Sequence, residues 1–295
     1  MIIDTSETNE PDLFWAIRGG SNQFGIVTEF VFKAYPLASS ATVGVMVYPG
    51  TELADVLRAL RTYLQIQDKT SKMILAFARA PPHFYPGLLI LPYIEDVHKT
   101  DTILAPFREI VKPIFEGVGP APNFSAVAHA ADDSLKGVPP RQIIDGALFS
   151  DLWEDVVSKA FGDWIQFTEQ PQFRATVCMW EFWHQEKIAE TDVGKMAFAA
   201  RDPHYYVVVT GRHTEESDDS TVAEWTANLA AAVRQAQVEK TGKKLTTPSS
   251  FCLDPKYESV EDIYGENLPK LKKLKAKYDP EKIWSKGWLI EPDFT

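Results

Sequence analysis

The stretch DLFWAIRGGSNQFGIVTEF, residues 12–30, constrains this chain more than any other. Gly19, Gly20 and Gly25 fall within seven residues, directly before a β-branched and aromatic run. Glycine lacks a Cβ, so its backbone adopts positive φ freely and passes close to whatever lies beside it. The four residues between Gly20 and Gly25 match the spacing of a phosphate-binding P-loop. However, Ile26 and Val27 stand where Lys and Ser/Thr would be, and a strand pattern follows instead of a helix. A GxGxxG fingerprint is also absent. Two readings stay open from the residues alone: a plain glycine-rich turn feeding a strand, or a backbone that approaches something flat or charged.

Charge narrows the partners. The net charge of −11 over 295 residues argues against the concentrated basic surface that a nucleic acid needs. The one basic cluster, Lys270, Lys272, Lys273, Lys275 and Lys277, is expected to be a solvated helical face opposing the macrodipole. Cys178 and Cys252 form no CxxC, so no metal site is expected. The polar, acidic start MIIDTSETNEPD has no apolar core of a signal peptide. No apolar run reaches the ~18 residues of a membrane span.

Periodicity predicts strands at 26–35, 41–48, 72–80, 87–94, 124–129, 173–184 and 204–213. It predicts helices at 51–66 (with Thr51 as N-cap), 97–115, 149–167, 218–238 and 258–278, the last broken near Gly265. The polar, proline-bearing stretch 132–146 reads as a loop. This order suits an α+β fold: an antiparallel sheet covered by helices on one face.

The residues 12–32 closely resemble the "DLFWALRGG…NFGIVT" signature of FAD-linked oxidoreductases of the vanillyl-alcohol oxidase and berberine-bridge-enzyme type, with a fungal flavour. Tyr264-Gly265-Glu266-Asn267-Leu268, then Leu271, Lys272, Lys275, Tyr278-Asp279-Pro280 and Trp284, are similar to the C-terminal segment of the same family. The resemblance implies a partial FAD-binding domain made by the chain ends, residues 1–38 and 245–295, beside a substrate domain at 39–244. It implies FAD as cofactor, with Gly19, Gly20, Asn22, Phe24, Gly25, Ile26, Val27 and Asn267 near it, and Tyr278 and Trp284 near it or in its packing. Family members carry a long N-terminal half with an Arg/Ser-Gly-Gly-His loop around the pyrophosphate. Nothing like that loop occurs here, so a missing N-terminal half or a partner chain is expected. Many members also carry a Tyr-x-Asn before the final helices. The corresponding Ser249–Pro255 contains no tyrosine, so no catalytic base carries over.

The substrate face is sought by alternation. On strand 173–184, Phe173, Ala175, Val177 and Met179 read as the helix-packed side, and Arg174, Thr176, Cys178, Trp180, Phe182 and His184 as the ligand side. On 204–213 the polar side carries His204, Tyr206, Thr210 and Arg212. Substrate contacts are expected among Trp180, His184, Tyr206 and Arg212, against the alternative of a sheet face left wet. Glu181 and Glu186 present no acid–base pair. Three functions remain: an FAD-dependent oxidase of a small organic molecule, a truncated non-catalytic fragment, or a module that binds a small molecule or a partner chain.

Overall fold

The computed structural model describes residues 2–35, 40–130, 132–246 and 258–295. The chain divides into two compact units: residues 36–185 with 204–242, and the chain ends 1–35 and 243–295 with 186–203. The stretch 186–203 thus belongs with the chain ends, although it lies inside the 39–244 span of the expected substrate domain.

The larger unit is an α+β layer. Seven strands, β1 (Thr42–Pro49), β2 (Ser71–Arg79), β3 (Pro86–Ile94), β4 (Phe115–Pro120), β5 (Arg141–Phe149), β6 (Val177–Phe182) and β7 (Tyr205–His213), form one antiparallel sheet in the order β4-β1-β3-β2-β6-β7-β5. One face carries Met46 and Tyr48, Met73, Leu75 and Phe77, Leu88 and Ile90, Cys178, Trp180 and Phe182, and Val207 and Val209, all buried. Helices α2 (Leu53–Ile66), α6 (Glu154–Thr168) and α8 (Asp219–Thr241) lie against that face through Val56, Leu57, Leu60 and Tyr63, through Val157, Phe161 and Trp164, and through Leu229 and Val233. These positions recur at helical spacing, which presents one apolar stripe to the sheet. Each fully buried large apolar side chain contributes about 1.5–3 kcal/mol, so this single interface dominates the unit.

The structure corrects four expectations. Residues 97–115 are not one helix: prolines at 106 and 113 interrupt the pattern, leaving α3 (Thr100–Leu104) and α4 (Pro106–Glu109) before the edge strand β4. Residues 124–129 are not a strand but the short helix α5 (Phe124–Ala128), whose N-terminus is capped by Asn123 Oδ1 accepting from Ala126 N at 3.0 Å. The loop expected over 132–146 holds most of β5. Asp145-Gly146 looks like a turn signal, yet Asp145 is buried and its Oδ1 accepts from the Gly146 N–H at 2.7 Å. Thr51 is not the cap of α2, which begins after a 3-10 turn at Gly50–Glu52.

The smaller unit is built by the chain ends. It contains α1 (Pro11–Ile17), α7 (Glu186–Ala189), α9 (Val260–Tyr264) and α10 (Leu268–Tyr278). Leu13, Trp15, Ala16 and Phe24 from the first segment pack with Ala197 and with Ile263, Tyr264, Leu268, Leu271, Leu274 and Ile290 from the last. Trp15 Nε1 donates to Gly194 O at 2.8 Å, and Phe198 N donates to Arg18 O at 3.0 Å. The strand expected at 26–35 is absent: the stretch has no strand partner among the described residues. The expected solvated lysine face is also wrong at one position. Lys275 is fully buried, and Lys270 and Lys277 pair with Asp12 and Glu10.

Candidate functional site

In the larger unit the helices cover only one side of the sheet, so the opposite side is where ligand-facing groups would stand. Register assigns the residues to sides, because directly paired residues point the same way. Trp180 pairs with Leu75 and Val207, both core residues, and is itself 1% exposed. It is therefore a core residue, and the expected helix-packed and ligand sides of this strand are interchanged. The cause is strand length. The polar residues that made the other side look mixed, Arg174, Thr176 and His184, lie outside β6, and within 177–182 that side is Cys178, Trp180 and Phe182 alone.

Glu181 pairs with Ile74 and with Tyr206, so Glu181 and Tyr206 share the helix-free side. The Glu181 carboxylate accepts the Trp183 indole N–H at 2.8 Å. The Trp183 ring stands edge-on to Tyr206, with centroids 6.4 Å apart. Tyr206 Oη lies 2.8 Å from Nε2 of the buried His204. Lys72 pairs with Tyr93 across β2 and β3, and its Nζ lies 4.1 Å from the Trp183 ring centroid and 5.6 Å from that of Tyr93. Burial pushes the Lys72 ammonium below its ordinary pKa, with the Glu181 charge opposing the shift. The result is one patch holding a carboxylate, an ammonium, a phenol, an imidazole and an exposed indole.

Of the residues expected to touch substrate, only Tyr206 falls in this patch. His184 is half-buried, two residues beyond the end of β6. Arg212 shares the side of Tyr206 but lies six residues along β7; burial lowers its pKa, and its Nη1 donates to Ala175 O at 3.4 Å. Lys72, Glu181 and Trp183 were missed. The alternation of Met73, Leu75 and Phe77 toward the core already sends Lys72 the other way, and Val177, Met179 and Glu181 do the same on β6.

The smaller unit answers the glycine question in two parts. A Cβ on Gly19, whose φ is +133°, would lie 2.0 Å from Phe198 N, and one on Gly20 would lie 2.5 Å from Ala16 O. Those two glycines are required by the chain's own packing. Phe24 is in the core, and the Asn267 amide, also buried, donates to the carbonyls of Val193, Met196 and Ala197 at 3.0–3.3 Å. The donors of Asn267 are therefore engaged within the unit. Tyr278 donates its hydroxyl to Glu10, and the Trp284 backbone is held by Lys275 and Asp279.

Gly25 differs. Its φ is +147°, yet an added Cβ would meet nothing within 4 Å. Residues 25–35 make no backbone hydrogen bond among the described residues. Asn22, Ile26 and Val27 are exposed. Open space with backbone donors unengaged among the described residues leaves Asn22 and Gly25–Val27 able to fit the edge of a flat polar ring such as the implied flavin, whereas Gly19, Gly20, Phe24 and Asn267 are engaged within the unit. The segment Ser249–Pro255, with Cys252, lies outside the described residues. Among the described residues no group of three His, Cys, Asp or Glu is placed to hold a metal, and no helix is long and apolar enough to cross a membrane.

Comparison with known proteins connects these features. Residues 244–286 match the family model "Berberine and berberine like". Over 99% of its length the chain is 24% identical to the FAD-linked oxidoreductase pgmH of Aspergillus terreus, covering 63% of that protein. The chain is similar to FAD-linked oxidoreductases of the vanillyl-alcohol oxidase and berberine-bridge-enzyme type. It spans about three-fifths of the length of these relatives. The fold itself is seen in solved structures. A xylooligosaccharide oxidase from Myceliophthora thermophila superimposes with a TM-score of 0.72 at 19% identity, with 100% of this chain and 64% of that one covered. The 6-hydroxy-D-nicotine oxidase of Arthrobacter nicotinovorans gives 0.74 at 17% identity, with 98% and 63% covered.

Proposed function

We propose that this chain is the substrate-recognising part of an FAD-linked oxidase, which takes a hydride and a proton from a small organic molecule. The observation that carries this reading is the patch of Glu181, Tyr206 and His204 on the helix-free side of the sheet. Oxidising a carbon that bears O–H or N–H requires an acceptor for the hydride and another for the proton. FAD, when bound, supplies the hydride acceptor and is reoxidised by dioxygen. Glu181 is the proton acceptor, within reach of a substrate seated on the patch. Its carboxylate is oriented by the Trp183 indole N–H. The Tyr206 phenol, fixed by His204, orients the substrate's oxygen or nitrogen. Asn22, Gly25, Ile26 and Val27 present backbone to the flavin, and Gly19, Gly20, Phe24 and Asn267 hold that backbone in place.

The test is to incubate the purified chain with excess FAD, desalt it and record the absorbance spectrum. Retained flavin bands that bleach with an alcohol or amine substrate, and that stay unbleached in Glu181→Gln, support the reading. A colourless protein sinks it for this chain alone. A second reading then takes over: a non-catalytic module that binds a partner chain. It is favoured by residues 26–32, where Ile26, Phe30, Val31 and Phe32 are 65–91% exposed beside an unengaged backbone. Such a stretch is ready to pair with a strand supplied by another segment or another chain.

A further inference from the structure

We propose that Lys72 and Trp183 select a flat aromatic ligand bearing a carboxylate. The inference names the substrate class for the oxidase reading and rests on that reading only for the chemistry that comes after binding.

The unusual group is the Lys72 ammonium. Several other cations in this unit pair with anions: Arg61 with Asp151, Lys99 with Asp68, Arg108 with Asp101 and Glu116, Arg141 with Asp219, Lys240 with Asp155. Lys72 is half-buried and makes no hydrogen bond and no ion pair among the described residues, although the Glu181 charge acts on it. Its ammonium, with three N–H donors, lies over the ring of Trp183 and near that of Tyr93 instead. Taking an ammonium out of water without an acceptor is unfavourable, and two aromatic faces compensate only in part. A ligand oxygen carrying negative charge completes the shell.

Trp183 supplies the second element. Its indole N–H is already engaged by Glu181, so the ring is fixed in orientation and has no further donor to offer. It is nevertheless 42% exposed. A fixed, exposed indole with a satisfied edge recognises by stacking, which suits another flat ring. Glu181 acts against an anion placed beside it, so the ligand's carboxylate goes to Lys72 and its ring to Trp183. That opposition has a measurable consequence: neutralising Glu181 should tighten binding of an anionic ligand.

Calorimetric titration of the full chain with a matched pair of probes, 2-naphthoate and 2-naphthalenemethanol, tests this without flavin. The carboxylate should bind at least about tenfold more tightly than the alcohol, as expected for a charge-assisted contact. Lys72→Met should abolish that preference, Lys72→Arg should keep most of it, and Trp183→Ala should weaken both probes alike. Glu181→Gln should raise the affinity for the carboxylate only. Circular dichroism melts establish that each variant is folded. Equal binding of the two probes, no binding of either, or a preference that survives Lys72→Met overturns the inference. A chain that stays colourless with FAD but shows the Lys72-dependent preference keeps it and sinks the oxidase reading. A flavin-holding chain without the preference does the reverse.

Discussion

Lys275→Met should be among the most damaging substitutions in the unit formed by the chain ends. Lys275 is fully buried, and its Nζ donates to Gln23 O at 2.7 Å, Asp279 Oδ2 at 2.6 Å and Trp284 O at 2.8 Å. Asp279 is also buried and accepts from the Ile283 and Trp284 N–H groups at 2.9 and 3.0 Å. Methionine fills the volume but leaves a buried carboxylate without its cation and two carbonyls without a donor. Breaking a buried pair from one side costs about 3–5 kcal/mol. Asp279→Asn added to the variant removes the stranded charge and should restore most of the loss. The pH dependence gives a second signature. Burial pushes the Asp279 pKa up, but the Lys275 ammonium and the two backbone N–H groups outweigh it and hold the net value below the ordinary one. A depressed carboxylate stabilises the fold above its unfolded pKa, about 4, and this is lost as pH falls through the folded value. Without Lys275 the ammonium's contribution is gone and the Asp279 pKa moves up. The deficit of Lys275→Met should therefore narrow as pH falls from 7 towards 4. Hydrogen exchange of peptides covering residues 18–25 and 279–290 reads the local stability. A variant within about 1 kcal/mol of wild type at pH 7, with unchanged protection, would refute the assignment of Lys275 as a buried cross-link.

The glycine-rich segment gives two further outcomes. Gly19→Ala should disrupt the packing of residues 197–198, because its Cβ would meet backbone at 2.0 Å, whereas Gly25→Ala should cost only the roughly 1–3 kcal/mol of an unfavourable φ; thermal melts and limited proteolysis separate the two. Replacing Phe30 and Phe32 together by Lys should shift the chain from aggregated to dispersed on size-exclusion chromatography with no fall in melting temperature, since both rings are exposed and stack mainly on each other; a drop in stability would show that they pack within the chain.

The sheet and its helical cover were legible where one period ran uninterrupted. β2, β3 and β7 are continuous runs rich in apolar residues, of which β3 alternates in burial, and α2, α6 and α8 keep an apolar stripe. Legibility failed where a residue type carried the wrong connotation. The polar, proline-bearing stretch 132–146 reads as a loop, yet its Asp145-Gly146 is mid-strand. The prolines at 106 and 113 were carried through a helix that they end. Lys275 was grouped with its neighbours by charge. By helical spacing it belongs with Leu271, Leu274 and Tyr278 on the inward stripe of α10, and that stripe was the signal to follow. The exchanged sides of β6 have a similar origin: reading 173–184 as one strand let polar residues beyond its ends dilute a purely apolar side.

The patch on the sheet was harder to read because no local motif marks it. Lys72, Glu181, Trp183 and Tyr206 come from three strands and the residue just past one of them, brought together only by register. The glycine signature had the opposite difficulty. It was conspicuous, but conspicuousness did not separate its two uses. Packing against residues 197–198 and offering backbone to a ligand both forbid a side chain, so both write glycine. Only the space around each Cα distinguishes them: Gly19 is crowded by the chain itself, and Gly25 faces nothing within 4 Å. Positive φ at an open, unpaired position is a strain that the chain's own packing does not explain. It therefore leaves Asn22 and Gly25–Val27, and not the crowded earlier glycines, as the part of the signature open to the proposed flavin contact.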